Sequence, residues 1–439
     1  MAYQNIVYIH SHDTGRYIQP YGHQVETPNL QKLAEDGVLF RQHFCINPTC
    51  SPSRASLLTG SYPHQNGMLG LVHRGFSLND YQQHLIHTLK PHGFETLLSG
   101  VQHVAHAETK QKAADIIGYD RYLGDSPEID AVQFLESKLD RPFFLAAGFF
   151  ETHREFPAED ELLDDPRYCQ PPAPLPDSPE TRLDMARYKT AARILDQKMG
   201  LIFDALERTG LAENTLVICT TDHGLAFPRM KCNLTDAGTG IMLMMRGPNG
   251  FSGGRVVNAM TNHLDIFPTI CDWLNIDQPD WLEGKSLLPL INGEVEELHG
   301  EIFFETNFHA AYEPQRGVRT QRWKYIRRFD GRNSAVLPNI DNGESKSFLL
   351  EHGLQEHLAE AEQLYDLIYD PHEAHNLALE KSHIGLLDQM RAKVRHWMVE
   401  TADPLLDGPL VLPFSIQVNN PDDISPQDRT INWELTDEH

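Results

Sequence analysis

Over its first two thirds the chain alternates short apolar, β-rich runs with segments of helical spacing. That alternation restricts it to an α/β architecture, a mixed, mostly parallel sheet sandwiched by helices. Residues 5–9, 142–149, 215–221 and 240–245 read as strands. Thr27-Pro28 opens a helix that Gly37 closes, and residues 182–211 carry helical spacing. Beyond about residue 290 the pattern changes. Residues 301–306, 318–328 and 363–369 read as strands without helices between them, followed by a helix over 386–401, which predicts a smaller antiparallel sheet with one packed helix. Three parts are expected: a main α/β domain over 1–295, a smaller α+β subdomain over 296–402, and an extended tail over 403–439. The prolines and acids of the tail suit a segment laid over the surface, or over a second copy in a homo-oligomer.

With 62 acidic against 37 basic residues the net charge is −25, which argues against nucleic acid or an anionic membrane as partner. Any anion site has to be built locally. No run approaches the ~18 apolar residues of a membrane helix, and Met1-Ala2-Tyr3-Gln4 leads into the first strand without a basic leader. The expectation is a cytoplasmic protein. Its six cysteines (Cys45, Cys50, Cys169, Cys219, Cys232, Cys271) form no close pairs and are read as reduced thiols.

Open α/β sheets bind ligands at the carboxyl ends of their strands. The first strand ends in Ser11-His12-Asp13-Thr14-Gly15, and the strand over 215–221 ends in Asp222-His223-Gly224. Two Asp-His pairs at two strand ends suit a divalent cation, although both acids also suit helix or turn caps. A third element is Cys50-Ser51-Pro52-Ser53-Arg54-Ala55-Ser56-Leu57-Leu58-Thr59-Gly60. It reads as a short helix with Pro52 in its first turn and Gly60 as its stop. Cys50 then sits at a helix N-terminus, where the dipole favours anionic chemistry, and Arg54 lies one turn inside.

That string resembles the signature of the type I sulfatases, Cys-x-Pro-Ser-Arg-x-x-x-Leu-Thr-Gly, whose cysteine is oxidised to formylglycine. The resemblance continues through Pro63-His64-Gln65-Asn66-Gly67, Glu151-Thr152-His153-Arg154, Leu364-Tyr365-Asp366 and Asp370-Pro371-His372-Glu373, and it is nearest to the sulfamidases, which cleave N-sulfate from glucosamine. It implies the alkaline-phosphatase-like fold and hydrolysis of a sulfate ester or sulfamate on a saccharide. It also implies a formylglycine-generating enzyme as maturation partner. Residue by residue, it makes Asp13, Asp222 and His223 metal ligands, with the modified Cys50 as a further ligand. Arg54 would hold the formylglycine, and His103, His153 and Lys231 would face the sulfate. A cation-activated aldehyde hydrate attacks sulfur, a nearby His protonates the leaving group, and the second hydroxyl expels sulfate as the aldehyde reforms.

The sequence departs from the family in two places. His12 stands where many members carry the first of two Asp residues, and Gly100-Val101-Gln102-His103 lacks the lysine of the usual Gly-Lys-x-His. His106, Arg154 and Arg74 are the candidates to replace that cation, and His309 is a further substrate-side candidate because sulfamidase-like chains place a His nearby. Calcium is the ion the resemblance implies. His12 and His223 beside the acids would suit manganese or zinc better. The Asp222-His223 pair is also seen in the related phosphonate monoester hydrolases, which leaves phosphonate or phosphodiester hydrolysis as an alternative. A catalytically silent binding protein is a second one. The basic run of Arg316, Arg319, Arg322, Lys324, Arg327 and Arg328 is read mainly as solvated or ion-paired, and His84, His87 and His92 as solvated or core-edge residues.

Overall fold

The computed structural model describes residues 4–412 and 415–433. Among them a nine-stranded sheet is built from β1 (Asn5–Ser11), β2 (Val38–Phe44), β3 (Glu95–Gly100), β4 (Arg121–Gly124), β5 (Phe143–Gly148), β6 (Thr215–Thr221), β7 (Gly240–Ile241), β8 (Leu243–Arg246) and β9 (Arg255–Asn262). The order is β4-β3-β5-β1-β6-β8-β2, with β7 and β9 also paired to β2. Strands β4, β3, β5, β1 and β6 are parallel, and β8 runs against both β6 and β2. The single strand expected over 240–245 is broken at Met242, whose N–H bonds the carbonyl of Gly15 at 2.8 Å instead of a ladder partner. The polar residues within β2 and β3 (Arg41, Gln42, Glu95, Ser99) hid those two strands from a hydrophobicity reading.

Alternation along the central strands builds a core on each face. Val7 and Ile9 of β1 pack with Val217 and Cys219 of β6 beneath Leu195, Met199, Ile202 and Leu206 of the long helix Pro179–Arg208. Ile6 and Tyr8 face the other way, toward the helices Cys50–Thr59 and Ile266–Leu274. That second core continues into a four-stranded antiparallel sheet, β10 (Glu301–Phe308), β11 (Tyr312–Thr320), β12 (Trp323–Arg328) and β13 (Glu362–Asp366), and into the helix Ile384–Glu400.

Two details of this second sheet differ from the sequence reading. The run over 318–328 is a hairpin, not one strand: Thr320 and Trp323 close a tight turn, the Trp323 N–H donating to Thr320 Oγ1 at 2.9 Å. A helix, Glu344–Glu351, also intervenes between β12 and β13. In the tail, Ile416, Val418 and Trp433 are buried, with Trp433 against Phe308 and Tyr312.

The two sheets are tied by a buried charge network. Glu305 of β10 accepts from the His64 N–H and lies 3.0 Å from His64 Nδ1, at the start of the short helix that follows the Cys50 helix. Arg316 of β11 lies 3.3 Å from Glu305 and grips Asp403 with two bonds of 2.5 and 3.0 Å. Burial would raise the Glu305 carboxyl, but His64 and Arg316 hold it down at about 2. A carboxylate held below its unfolded value contributes stability that is complete above about pH 4.5 and is lost as the pH falls toward the folded value. Glu305→Gln should therefore cost about 3 kcal/mol at neutral pH, as expected for breaking a buried pair. The gap between variant and wild type in urea melts should close progressively below about pH 4.5.

Candidate active site

Because β1 and β6 are parallel neighbours, their carboxyl ends emerge side by side. The following turns are laced together. The Asp13 N–H donates to Asp222 Oδ1 at 2.8 Å, that of Thr14 to Thr221 Oγ1 at 3.2 Å, and that of Gly15 to the His223 carbonyl at 2.9 Å. Asp13 adopts φ +51°, a left-handed conformation that short polar residues tolerate better than most.

Asp222 is fully buried and satisfied on both oxygens. Oδ1 accepts from the N–H groups of Asp13 and His223, and Oδ2 accepts from Arg54 at 2.9 Å, with His12 Nδ1 3.2 Å away. Burial alone would raise this carboxyl; His223, Arg54 and His12 hold it well below the usual range. His223 donates Nδ1–H to the Gly224 carbonyl at 3.0 Å, which places its Nε2 3.2 Å from Asp13 Oδ1 and 3.3 Å from Cys50 Sγ. Asp13 Oδ1 and both ring nitrogens of His12 are buried without a well-aligned hydrogen-bond partner. Ligand atoms of His12, Asp13, Cys50 and Asp222 all lie within 4.8 Å of one another. Acceptors gathered around one point and left unsatisfied are what a divalent cation pairs, so these residues fit a metal.

Cys50 opens the helix Cys50–Thr59, which Gly60 ends in a left-handed turn, as the motif requires. No side chain caps its N-terminus, so the end of the dipole is directed at the pocket. The thiol is 2% exposed. Burial pushes it well up, Asp222 and Asp13 add to this, and Lys231 and Arg54 oppose it, so the unmodified side chain is a neutral thiol. Arg54 reaches the Ser11 carbonyl at 2.8 Å, Asp222, and Nδ1 of His10. Burial, then Arg54, keeps His10 neutral and able to accept.

On the open side, Lys231 bridges Asp13 Oδ2 at 3.2 Å and Asp341 Oδ2 at 3.0 Å. Burial would lower this ammonium, but the two carboxylates raise it well above its ordinary value. The His12 ring lies 5.6 Å from those of His103 and His153, and His73 stacks on His103 at 5.9 Å. Burial, then Arg74, brings His73 down to about 4. His309 is buried, and burial, then Lys231, lowers it far below its usual value. Phe150, 53% exposed, stands 4.9 Å from the His153 ring.

Of the three sequence candidates for the missing cation, Arg154 is engaged elsewhere, and Arg74 and His106 stand at the pocket's edge, within reach of the His73 ring. Arg154 bonds Asp184 at 2.6 Å and the Ala226 carbonyl at 2.8 Å, and stacks between Phe156 and Phe227. Arg74 gives Nη2 to Asn419 and Pro426 in the tail, while its Nε and Nη1 are buried without a hydrogen-bond partner and its charge acts on His73 and His309; His106 is exposed in a surface hollow with Glu108 and Lys112. Of the remaining pocket residues, His10, His73, Phe150 and Asp341 were not singled out by the sequence. His10 precedes His12 by two on a strand and so shares its face, and His73 adjoins Arg74. Asp341 sits in a turn-like Asn339-Ile340-Asp341-Asn342-Gly343 that reads as a loop.

Purified protein dialysed against a divalent cation should retain about one equivalent by elemental analysis. Asp222→Ala should retain less than roughly a tenth of that, and Arg154→Ala should retain it in full.

The geometry agrees with what the chain is similar to. The sulfatase family model matches residues 4–276, and a model of the N-sulphoglucosamine sulphohydrolase C-terminal region matches residues 230–349. Human N-sulphoglucosamine sulphohydrolase is 30% identical, the alignment covering 88% of each chain. An enzyme solved in complex with its substrate D-glucosamine-2-N,6-O-disulfate shares the fold at TM-score 0.70 and 17% identity, over 93% of this chain and 99% of its own. The phosphonate monoester hydrolase of Agrobacterium radiobacter shares it at TM-score 0.68 and 19% identity, over 92% and 97%. The chain belongs to the sulfatase family, the hydrolases of sulfuric esters and sulfamates.

Proposed function

We propose that the substrate is a small sulfated saccharide, N-sulfoglucosamine or a related glycosaminoglycan fragment, and that the nucleophile is formylglycine made from Cys50 by a separate maturation enzyme. The observation that carries this reading is the sulphohydrolase C-terminal match over 230–349, because that stretch contains Lys231, His309 and Asp341, all at the pocket. A cytoplasmic setting is part of the proposal, supported by six free cysteines, all of them buried.

Asp13, Asp222 and His223, with His12 alongside, would hold the cation. Calcium is the ion proposed, and the imidazole nitrogens in the donor set are what favour manganese or zinc. When bound, the cation and the aldehyde hydrate at position 50 supply an activated oxygen and a positive charge beside the sulfuryl group. Arg54 keeps Asp222 ionised and aligned. An ammonium has three N–H donors, and Lys231 gives one to Asp13 while pairing by charge with Asp341, which leaves donor capacity for a sulfuryl oxygen. His153 donates Nδ1–H to the Arg154 carbonyl, so Nε2 is the atom that can carry a proton to the leaving group. His103, whose Nδ1 is buried and unpartnered, holds the opposite wall.

Peptide mass spectrometry of protein from a maturation-competent host should find the Cys50 peptide lighter by the thiol-to-aldehyde difference. The same protein should turn over one of a panel of N-, 6-O- and 2-O-sulfated glucosamine and uronate fragments. Cys50→Ala should lose at least about 1000-fold in turnover, the scale of a lost covalent nucleophile. An unmodified thiol with no turnover would favour a binding protein. A formylglycine that cleaves phosphonate monoesters and ignores sulfates would move the reading to that chemistry.

A further inference from the structure

Asp341 brings a negative charge into a pocket that has to hold an anion. It arrives from outside the nine-stranded sheet, on the turn between Leu337–Asn339 and the helix Glu344–Glu351. Oδ2 lies 3.0 Å from Lys231 Nζ as an ion pair, and among the described residues no well-aligned hydrogen bond reaches either carboxylate oxygen. The side chain keeps 15% of its surface open. Burial would raise its carboxyl, but Lys231, His309 and His153 hold it low, so it faces the pocket as an anion. The chain of contacts runs from Cys50 Sγ through His223 and Asp13 to Lys231 and then Asp341, which lies one contact beyond the cation that meets the sulfuryl group.

A carboxylate beside a scissile bond distinguishes two kinds of bridging atom. The bridging nitrogen of a sulfamate carries a hydrogen and can donate, whereas the bridging oxygen of a sulfate ester carries only lone pairs and is repelled. The difference grows during reaction. As the N–S bond breaks, its electron pair goes to nitrogen and the sulfuryl group passes to the oxygen nucleophile at position 50. One proton, from His153 Nε2, completes the amine, and a second from water makes it an ammonium at neutral pH. An ester's leaving oxygen takes the pair and one proton and ends neutral.

We propose that Asp341 is the specificity-determining residue for a sulfamate nitrogen, accepting the substrate N–H and pairing with the ammonium of the product. This rests on the saccharide sulfamate reading above. Lys231 screens the charge from the sulfuryl oxygens, which reconciles an acid with an anion site.

The test uses the mature, metal-loaded enzyme and Asp341→Asn, which keeps an acceptor for Lys231 and removes the charge. With N-sulfoglucosamine and 4-nitrophenyl sulfate as the paired substrates, the N-over-O ratio of kcat/KM should fall at least about tenfold in the variant. Inhibition by glucosamine should weaken by a similar factor while inhibition by inorganic sulfate does not weaken. A proportional loss on both substrates, with glucosamine inhibition unchanged, would overturn the proposal and leave Asp341 as a positioning residue for Lys231. Should the variant not fold, wild type alone decides: glucosamine should inhibit aryl sulfate hydrolysis at least about tenfold more strongly than glucose, and equal inhibition overturns the idea. A wild type that cleaves esters and leaves N-sulfoglucosamine untouched would instead sink the substrate reading.

Discussion

The centre of this molecule depends on a carboxylate, Asp222, that could not be buried alone. Transferring an ionised acid out of water is prohibitive unless it is paired and hydrogen-bonded. Here two backbone N–H groups and the Arg54 guanidinium meet that demand. The dependence is mutual, since Arg54 is itself buried and, among the described residues, ion-pairs with Asp222 alone. Because Arg54 sits one turn inside the helix that Cys50 begins, the pair fixes that helix against the ends of β1 and β6. Cys50, the strand-end acids and the turn carrying His223 are thereby held in register by one charge pairing. Ser53, bonded to the Asp222 carbonyl at 2.5 Å, reinforces the same joint.

What the sequence revealed was local. β1, β6 and the Cys50 helix each carry their signal within about a dozen residues, as an apolar run, a proline in the first turn or a stopping glycine. The two strand ends carrying Asp13 and Asp222 follow from the general rule for parallel sheets. Residues whose role depends on distant neighbours were not legible. Arg154 follows a family-like string and looked available, yet Asp184 on the long helix claims it. Asp341 lies in a loop with no pattern of its own and acquires meaning only because Lys231, 110 positions earlier, meets it in space. The hairpin at Thr320 was missed because the chain reverses over two polar residues within a basic run. Five of the six residues of that run, Arg316, Arg319, Arg322, Lys324 and Arg328, face acids, and Arg327 lies over the Phe329 ring.

The second sheet completes the pocket that the first begins. The nine-stranded sheet supplies the acids and the imidazole at its strand ends, whose negative charge alone would not suit the anion site proposed above. His309 at the end of β10 and Asp341 beyond β12 add the outer wall, and the Glu305–Arg316 network keeps that wall at a set distance from the Cys50 helix. In place of the lysine expected at Val101, Arg74 brings a positive charge to the pocket's edge, acting on His73 and His309. A wall of neutral imidazoles from His12, His73 and His103 stands on that side, with Lys231 as the ammonium inside the pocket.

The burial of Cys50 also sets a clock. In the finished fold its side chain is 2% exposed, so the maturation enzyme proposed above would have to meet the chain before His223 and Lys231 close over the helix. His223 lies 173 positions downstream. At roughly 5–20 residues per second of synthesis, about 10 to 35 seconds separate the appearance of Cys50 from that of the residue that covers it. β1 cannot complete its sheet without β6, which emerges in the same interval. Because the closing contacts are so far apart along the chain, Cys50 stays uncovered while the intervening residues are made, and the topology that later hides it grants the proposed maturation its time.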